Sequence, residues 1–160
     1  MIESSAVFSP CGQYRYSLTR WWDMFDARRL VFIGLNPSTA NATDNDPTIR
    51  RCIGFAKREG FGGMVMLNLF AYVSPYPDEM MAQEDPVGPE NDRTILEYCR
   101  GDNKVVACWG HWPSGIRVKA VSDMIEAPIF CLGMTKAGQP RHPLYLKSTE
   151  QLKTYREWRR

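Results

Sequence analysis

Three polar stretches hold the residues best suited to chemistry, and each follows an apolar run. The first is Gly34-Leu35-Asn36-Pro37-Ser38-Thr39. Glycine permits a sharp turn, and proline after asparagine drives that asparagine toward an extended backbone, so a rigid turn here can hold one amide over a pocket. The alternative is a tight loop whose polar groups satisfy only its own backbone. The second is Asn68, followed by Leu69, Phe70, Ala71 and Tyr72. An amide in an apolar strand needs partners, because burying it unpaired costs about 1–3 kcal/mol. It either reads a ligand through its donor and acceptor or ties two loops together. Phe70 and Tyr72 could stack on a flat ring, or be core. The third stretch, Gly133 to Tyr145, is stiffened by prolines and holds His142, one of only two histidines. An imidazole there suits stabilising a developing negative charge, unless it is an ordinary solvent-exposed loop residue.

These stretches need a scaffold, and the pattern of the chain supplies one. Short apolar runs at Leu30–Gly34, Met64–Phe70, Lys104–Gly110 and Pro128–Gly133 have the length and composition of buried strands. Helical spacing follows the first at Ile49, Cys52, Ile53 and Ala56, with Asp46 as cap, Pro47 in the first turn and Gly60 as the stop. Further helices are predicted over Glu90–Cys99, Ser114–Ile125 and Thr149–Trp158. Gln13 to Leu18 alternates enough for a strand or edge segment. Strands alternating with helices imply an α/β three-layer sandwich around a central, mostly parallel four-stranded sheet, with ligands bound outside the carboxyl ends of the strands. The three polar stretches fall at such ends.

Composition bounds the rest. A chain of 160 residues, 44% hydrophobic and 24% charged, fits one ordinary globular domain over 1–160. No apolar run approaches the ~18–20 residues of a membrane span, and Met1-Ile2-Glu3-Ser4-Ser5 lacks the layout of a secretory signal. The expected address is therefore the cytoplasm, with no membrane partner. Five scattered cysteines without a C-x-x-C pair argue against a disulfide framework or a zinc site, and with two histidines no metal or other cofactor is expected. Cys108 and Cys131 sit in apolar runs and read as buried hydrophobes. The net charge of +2 is too mild to require a nucleic-acid partner. Basic residues do cluster at Arg50-Arg51 with Lys57-Arg58, at Lys136 with Arg141, and at Arg156, Arg159 and Arg160, where they could meet phosphates or simply face solvent.

Longer motifs carry a resemblance. F-I-G-L-N-P-S-T-A at 32–40, N-D-P-T-I-R-R at 45–51, N-L-F-A-Y at 68–72, D-P-V-G-P-E-N-D at 85–92 and G-Q-P-R-H-P-L-Y at 138–145, with the Phe8–Trp22 segment, closely resemble a family known only as a domain of unknown function (number 1643). A shorter set is similar to the uracil-DNA glycosylase superfamily, whose mismatch-specific branch has G-I-N-P-G where this chain has G-L-N-P-S at 34–38. Asn68 matches that superfamily's base-reading asparagine, and His142-Pro143 matches the start of its H-P-S-P motif. Ser38 replaces the second glycine, and Leu144-Tyr145 replaces Ser-Pro.

That resemblance implies hydrolysis of an N-glycosidic bond in DNA or a related nucleic acid, in repair or modification. Asn36 would orient water, His142 would stabilise the departing base, and Asp44 or Asp46 would supply a carboxylate, with Asp46 also needed as a helix cap. Gly34, Leu35, Pro37, Ser38, Asn68, Phe70 and Tyr72 would line the base site. Arg50, Arg51, Lys136 and Arg141 would contact phosphates. The alternatives are a nucleoside- or nucleotide-processing enzyme, and a catalytically inactive nucleic-acid- or base-binding module on the same fold.

Overall fold

A computed structural model of the chain describes residues 1–111 and 115–157. Its strands are β1 (Glu3–Phe8), β2 (Arg15–Trp21), β3 (Arg29–Gly34), β4 (Gly63–Asn68), β5 (Lys104–Ala107), β6 (Ile129–Cys131) and β7 (Lys153–Arg156). Its helices are α1 (Pro47–Arg58), α2 (Pro77–Met81), α3 (Asn91–Tyr98) and α4 (Gly115–Met124), with one 3-10 turn at Pro143–Tyr145. The strands form one sheet in the order β1-β2-β4-β3-β5-β6-β7. The four expected strands are its centre: β4, β3, β5 and β6 run parallel. The sheet is seven-stranded rather than four-stranded, because β1 and β2 extend it antiparallel on one side and β7 on the other.

Alternation along the central strands builds two cores. Leu30, Phe32, Met64 and Met66 pack with Ile49, Cys52, Phe55 and Ala56 of α1. Val31, Ile33, Val65 and Leu67 point the other way, onto Met80 of α2, Ile95 of α3, and Val121 and Ile125 near α4. Helices therefore cover both faces, which is why these strands read as continuous apolar runs rather than as alternating ones. Val31, Phe32 and Ile33 are fully buried, each side chain contributing roughly 1.5–3 kcal/mol of burial.

The ends of the chain depart from expectation. Thr149–Trp158 was expected to be helical, but Lys153–Arg156 is the edge strand β7, and Trp158 lies outside the described residues. Tertiary contacts override local propensity here. Tyr155 sits edge-on to Trp109 with ring centroids 5.5 Å apart, and the Arg156 guanidinium donates to the carbonyls of Ser122, Ile125 and Ala127. The predicted strand at Gln13–Leu18 is shifted to Arg15–Trp21 and is interior, between β1 and β4. The predicted helix at Ser114–Ile125 is seen as Gly115–Met124, with Ser114 outside the described residues. Neither β1 nor α2 was expected. Among the described residues, no helix is long and apolar enough to cross a membrane, and no group of three or more His, Cys, Asp or Glu side chains is disposed to hold a metal ion. Cys52, Cys99, Cys108 and Cys131 are buried free thiols, while Cys11 is exposed.

Candidate active site

The parallel pairing brings two of the polar stretches onto one rung. Gly34 and Asn68 are register partners at the ends of β3 and β4. The two chains leave that rung still joined, since Leu69 N donates to Gly34 O and Phe70 N to Leu35 O. A Cβ on Gly34 would sit 2.9 Å from Asn68 Oδ1. A side chain here would displace that amide.

Asn68 is buried, only 4% exposed, and its Nδ2 has no hydrogen-bond partner. The backbone beside it is held firmly. Asn91 Nδ2 donates to Asn68 O at 3.0 Å and Leu69 O at 3.1 Å, and Arg117 Nε donates to Leu69 O at 2.7 Å. Arg117 is itself paired with Asp92 at 2.7 Å. The first turn of α3, through Asn91 and Asp92, therefore braces the strand end that presents Asn68.

Asn36 is clamped as well. Its Nδ2 faces three carbonyls, of Pro37 at 3.2 Å, Tyr72 at 3.3 Å and Ser74 at 2.8 Å. That orientation leaves Oδ1 as the free acceptor of the group.

His142 precedes the 3-10 turn, and its Nδ1 accepts from Leu144 N at 3.2 Å. An Nδ1 that accepts fixes the neutral tautomer with hydrogen on Nε2, a donor. Burial lowers the imidazole pKa from its ordinary value, with the Asp46 carboxylate opposing the shift. Gly110 turns with φ +76° and leaves its α-carbon side to His142, whose Cβ would lie 3.5 Å from an added methyl.

One cleft of about 160 Å³ unites these groups at the carboxyl ends of the parallel strands. Gly34, Leu35, Asn36, Ser38, Asn68 and His142 line it, together with Asp46, Thr48, Met66, Ser74, Pro75 and Cys108. Four expected residues are not part of its lining. Asp44 is exposed, and its carboxylate accepts from Asn41 Nδ2 at 3.1 Å. Pro37 is buried and contributes a carbonyl to the Asn36 clamp. Phe70 is in the core on the face of the sheet opposite α1. Tyr72 bridges to Tyr14, against whose ring it sits edge-on with centroids 5.9 Å apart.

The carboxylate in the cleft is Asp46. One oxygen caps α1 by accepting from Ile49 N at 2.8 Å, which leaves the other available. Cys108 is no nucleophile, because complete burial pushes its thiol up to about 12.

Two buried arginines set the wall that carries Asp46, and sequence reasoning missed both. Arg20, 1% exposed, donates to Asn45 Oδ1 at 2.9 Å, Thr19 O at 3.0 Å and Asn41 O at 2.6 Å. Arg15 donates to Ala40 O at 3.0 Å; burial lowers its pKa to about 10, and Asp46 opposes that shift. Two arginines in a strand that also holds Tyr16, Leu18 and Trp21 were the available signal. Of the four expected phosphate contacts, Lys136 and Arg141 are exposed on the loop after β6. Arg50 and Arg51 line a separate trough along α1.

Neither a curated protein nor a solved structure matches the chain. The match of residues 15–144 to the family described as "Protein of unknown function (DUF1643)" takes in β2, the cleft and His142, and the chain belongs to that family.

Proposed function

We propose that the cleft hydrolyses an N-glycosidic bond, holding the base of a nucleic acid or related nucleotide compound. The observation that carries this reading is the convergence of Asn36, Asp46, Asn68 and His142 on one small cleft. At about 160 Å³ it is well below the ~300–1,000 Å³ typical of drug-sized ligands. That suits one heterocyclic ring inside, with sugar and phosphate at the mouth. The central parallel strands with helices on both faces also support kinship with the uracil-DNA glycosylase superfamily.

In this mechanism the unpartnered amide of Asn68 pairs with the base edge. Asn36 Oδ1 and the free oxygen of Asp46 hold a water molecule against the anomeric carbon. The bond from that carbon to the base nitrogen breaks, its electron pair leaves with the base, and Nε2–H of His142 hydrogen-bonds the developing anion. The sugar carbon, oxocarbenium-like in the transition state, takes the water oxygen. Asp46 takes the proton released, and the base anion is protonated from solvent.

The test is release of free base, followed by mass spectrometry, from oligonucleotides carrying uracil, mismatched thymine or modified bases, and from free nucleosides. Wild-type protein should release base from at least one class, and Asn68→Leu and His142→Ala should not. Release from nucleosides alone would move the activity to monomers. No release from any substrate by folded protein would end the hydrolase reading.

A further inference from the structure

Helix α1 runs from the cleft into a second depression of about 330 Å³, lined by Arg50, Arg51, Gly54, Phe55, Arg58 and Ser148. We infer that this trough binds the phosphodiester backbone of a nucleic-acid strand whose base enters the cleft, so that the substrate is a polymer. The inference rests on the cleft being a base site, but its test does not depend on bond cleavage.

Three guanidiniums converge there, and backbone carbonyls rather than carboxylates hold them. Arg50 donates to Asn45 O at 2.9 Å, Arg51 to Pro143 O at 3.4 Å and Arg58 to Ser148 O at 2.7 Å. The only carboxylate paired with them among the described residues is Glu59, 3.6 Å from Arg58 Nε. Positive charge is thus left in excess. Arg58 Nη2 is buried with no hydrogen-bond partner and Nε meets only Glu59, so this guanidinium holds donors that a phosphate oxygen would engage by drawing the side chain outward. Arg51 and Arg58 are also spread over the Phe55 ring, at 5.5 and 5.0 Å from its centroid, which fixes where their forks can point.

Gly54 keeps the trough open. A glycine inside a helix is unfavourable relative to alanine, and an added Cβ here would meet nothing within 4 Å. The fold does not require its absence; a chain lying in the trough would. Placement agrees as well. Asp46 and Thr48 at the start of α1 line the cleft, and Arg51 is bonded to the residue after His142. From Thr48 to Arg58 the helix rises roughly 15 Å, about four base-pair steps of one DNA strand. A single phosphate needs no such length.

Binding of fluorescein-labelled single- and double-stranded DNA can be followed by anisotropy across a salt series, with inorganic phosphate and a nucleoside monophosphate as competitors. The wild-type protein should bind one of the DNA forms, resisting competition by either small anion at equal phosphate concentration. Gly54→Glu fills the trough with a side chain and a negative charge without touching the core. It should weaken binding about tenfold or more and flatten the salt dependence, with the thermal midpoint unchanged or raised. Arg50→Gln, at an exposed position, should lower the slope by about one. Unchanged affinity in folded Gly54→Glu would overturn the inference, as would no DNA binding, or full displacement by inorganic phosphate. DNA binding lost in Gly54→Glu but without base release would leave the trough standing and remove the hydrolase reading alone.

Discussion

Two stretches beyond β3 use similar residues to opposite ends. In the 41–46 segment the asparagines are satisfied by protein: Asn41 Oδ1 accepts from Thr43 N and Asp44 N, each at 2.9 Å, and Asn45 Oδ1 accepts from Arg20. At the neighbouring strand ends, Asn36 has one end clamped and one end free, and Asn68 is buried with its Nδ2 unpartnered. The first arrangement is structural, since both of those amide oxygens found partners when the chain folded. The second leaves hydrogen-bonding capacity facing a cleft. An amide buried without a partner destabilises the fold, and a ligand that completes it recovers that loss on binding. The asymmetry predicts that substitutions in the two regions will separate stability from function.

The largest effect should come from breaking the satisfied region. Arg20→Met removes the donor shared by Asn41, Asn45 and Thr19, taking one buried and two partly buried hydrogen bonds with it. A loss of about 3–4 kcal/mol is expected from urea unfolding. A loss below about 1 kcal/mol would mean that the segment holds its shape without the arginine.

Asn68→Leu sharpens the other side of the contrast. Leucine keeps the branched outline while removing the unpartnered amide, so stability should hold within about 1 kcal/mol. Base release should fall about 10²–10³-fold, as for loss of one well-placed catalytic donor. If turnover survives while stability falls, Asn68 belongs with Asn41 and Asn45.

The two aspartates make a smaller comparison. Asp46→Ala removes both the α1 cap and the carboxylate in the cleft, so about 1 kcal/mol of stability should go with the activity. Asp46→Asn keeps a cap oxygen and should restore stability without activity. Asp44→Ala, on the exposed side of the turn, should change stability by no more than about 0.5 kcal/mol and leave turnover intact.

How much of this could be read from sequence depended on what kind of signal each feature leaves. The four central strands were legible because burial on both faces makes them uninterrupted apolar runs, and α1 was legible from its cap and spacing. The outer strands were not. β1 is mostly exposed, and β7 is set by contacts of Tyr155 and Arg156 that no local pattern encodes. Asn36, Asn68 and His142 were placed by one rule, that ligands gather at the carboxyl ends of parallel strands. Of the two aspartates the sequence offers, Asp46 lines the cleft and Asp44 does not. Capping and a place in the cleft are compatible at Asp46, because the cap uses one carboxylate oxygen and leaves the other beside the cleft. Phe70, two residues past the end of β4, packs into the core on the face opposite α1 together with Leu69. The bracing by Asn91 and Arg117 was invisible, since it is contact between side chains and backbone far apart in sequence.

The smallest expected effect is on pH, and it tests whether His142 works as a neutral donor. Burial holds its imidazole below the ordinary value of 6.5. As pH falls below that value the unfolded chain takes up a proton before the folded protein does. Stability should therefore be level above about 6.5 and decline through the window between that value and the lower folded one. Activity should decline in the same direction. Protonation at Nδ1 sets an N–H against the Leu144 N–H that it now accepts, displacing the turn that aims Nε2. The acid limb of base release should have its midpoint below 6.5, and the same limb in the stability profile should be absent from His142→Gln. Activity lost instead as pH rises through a midpoint above 6.5 would make the working form an imidazolium stabilised by Asp46, and the contrast would shift from an unsatisfied amide site to an ion-paired one.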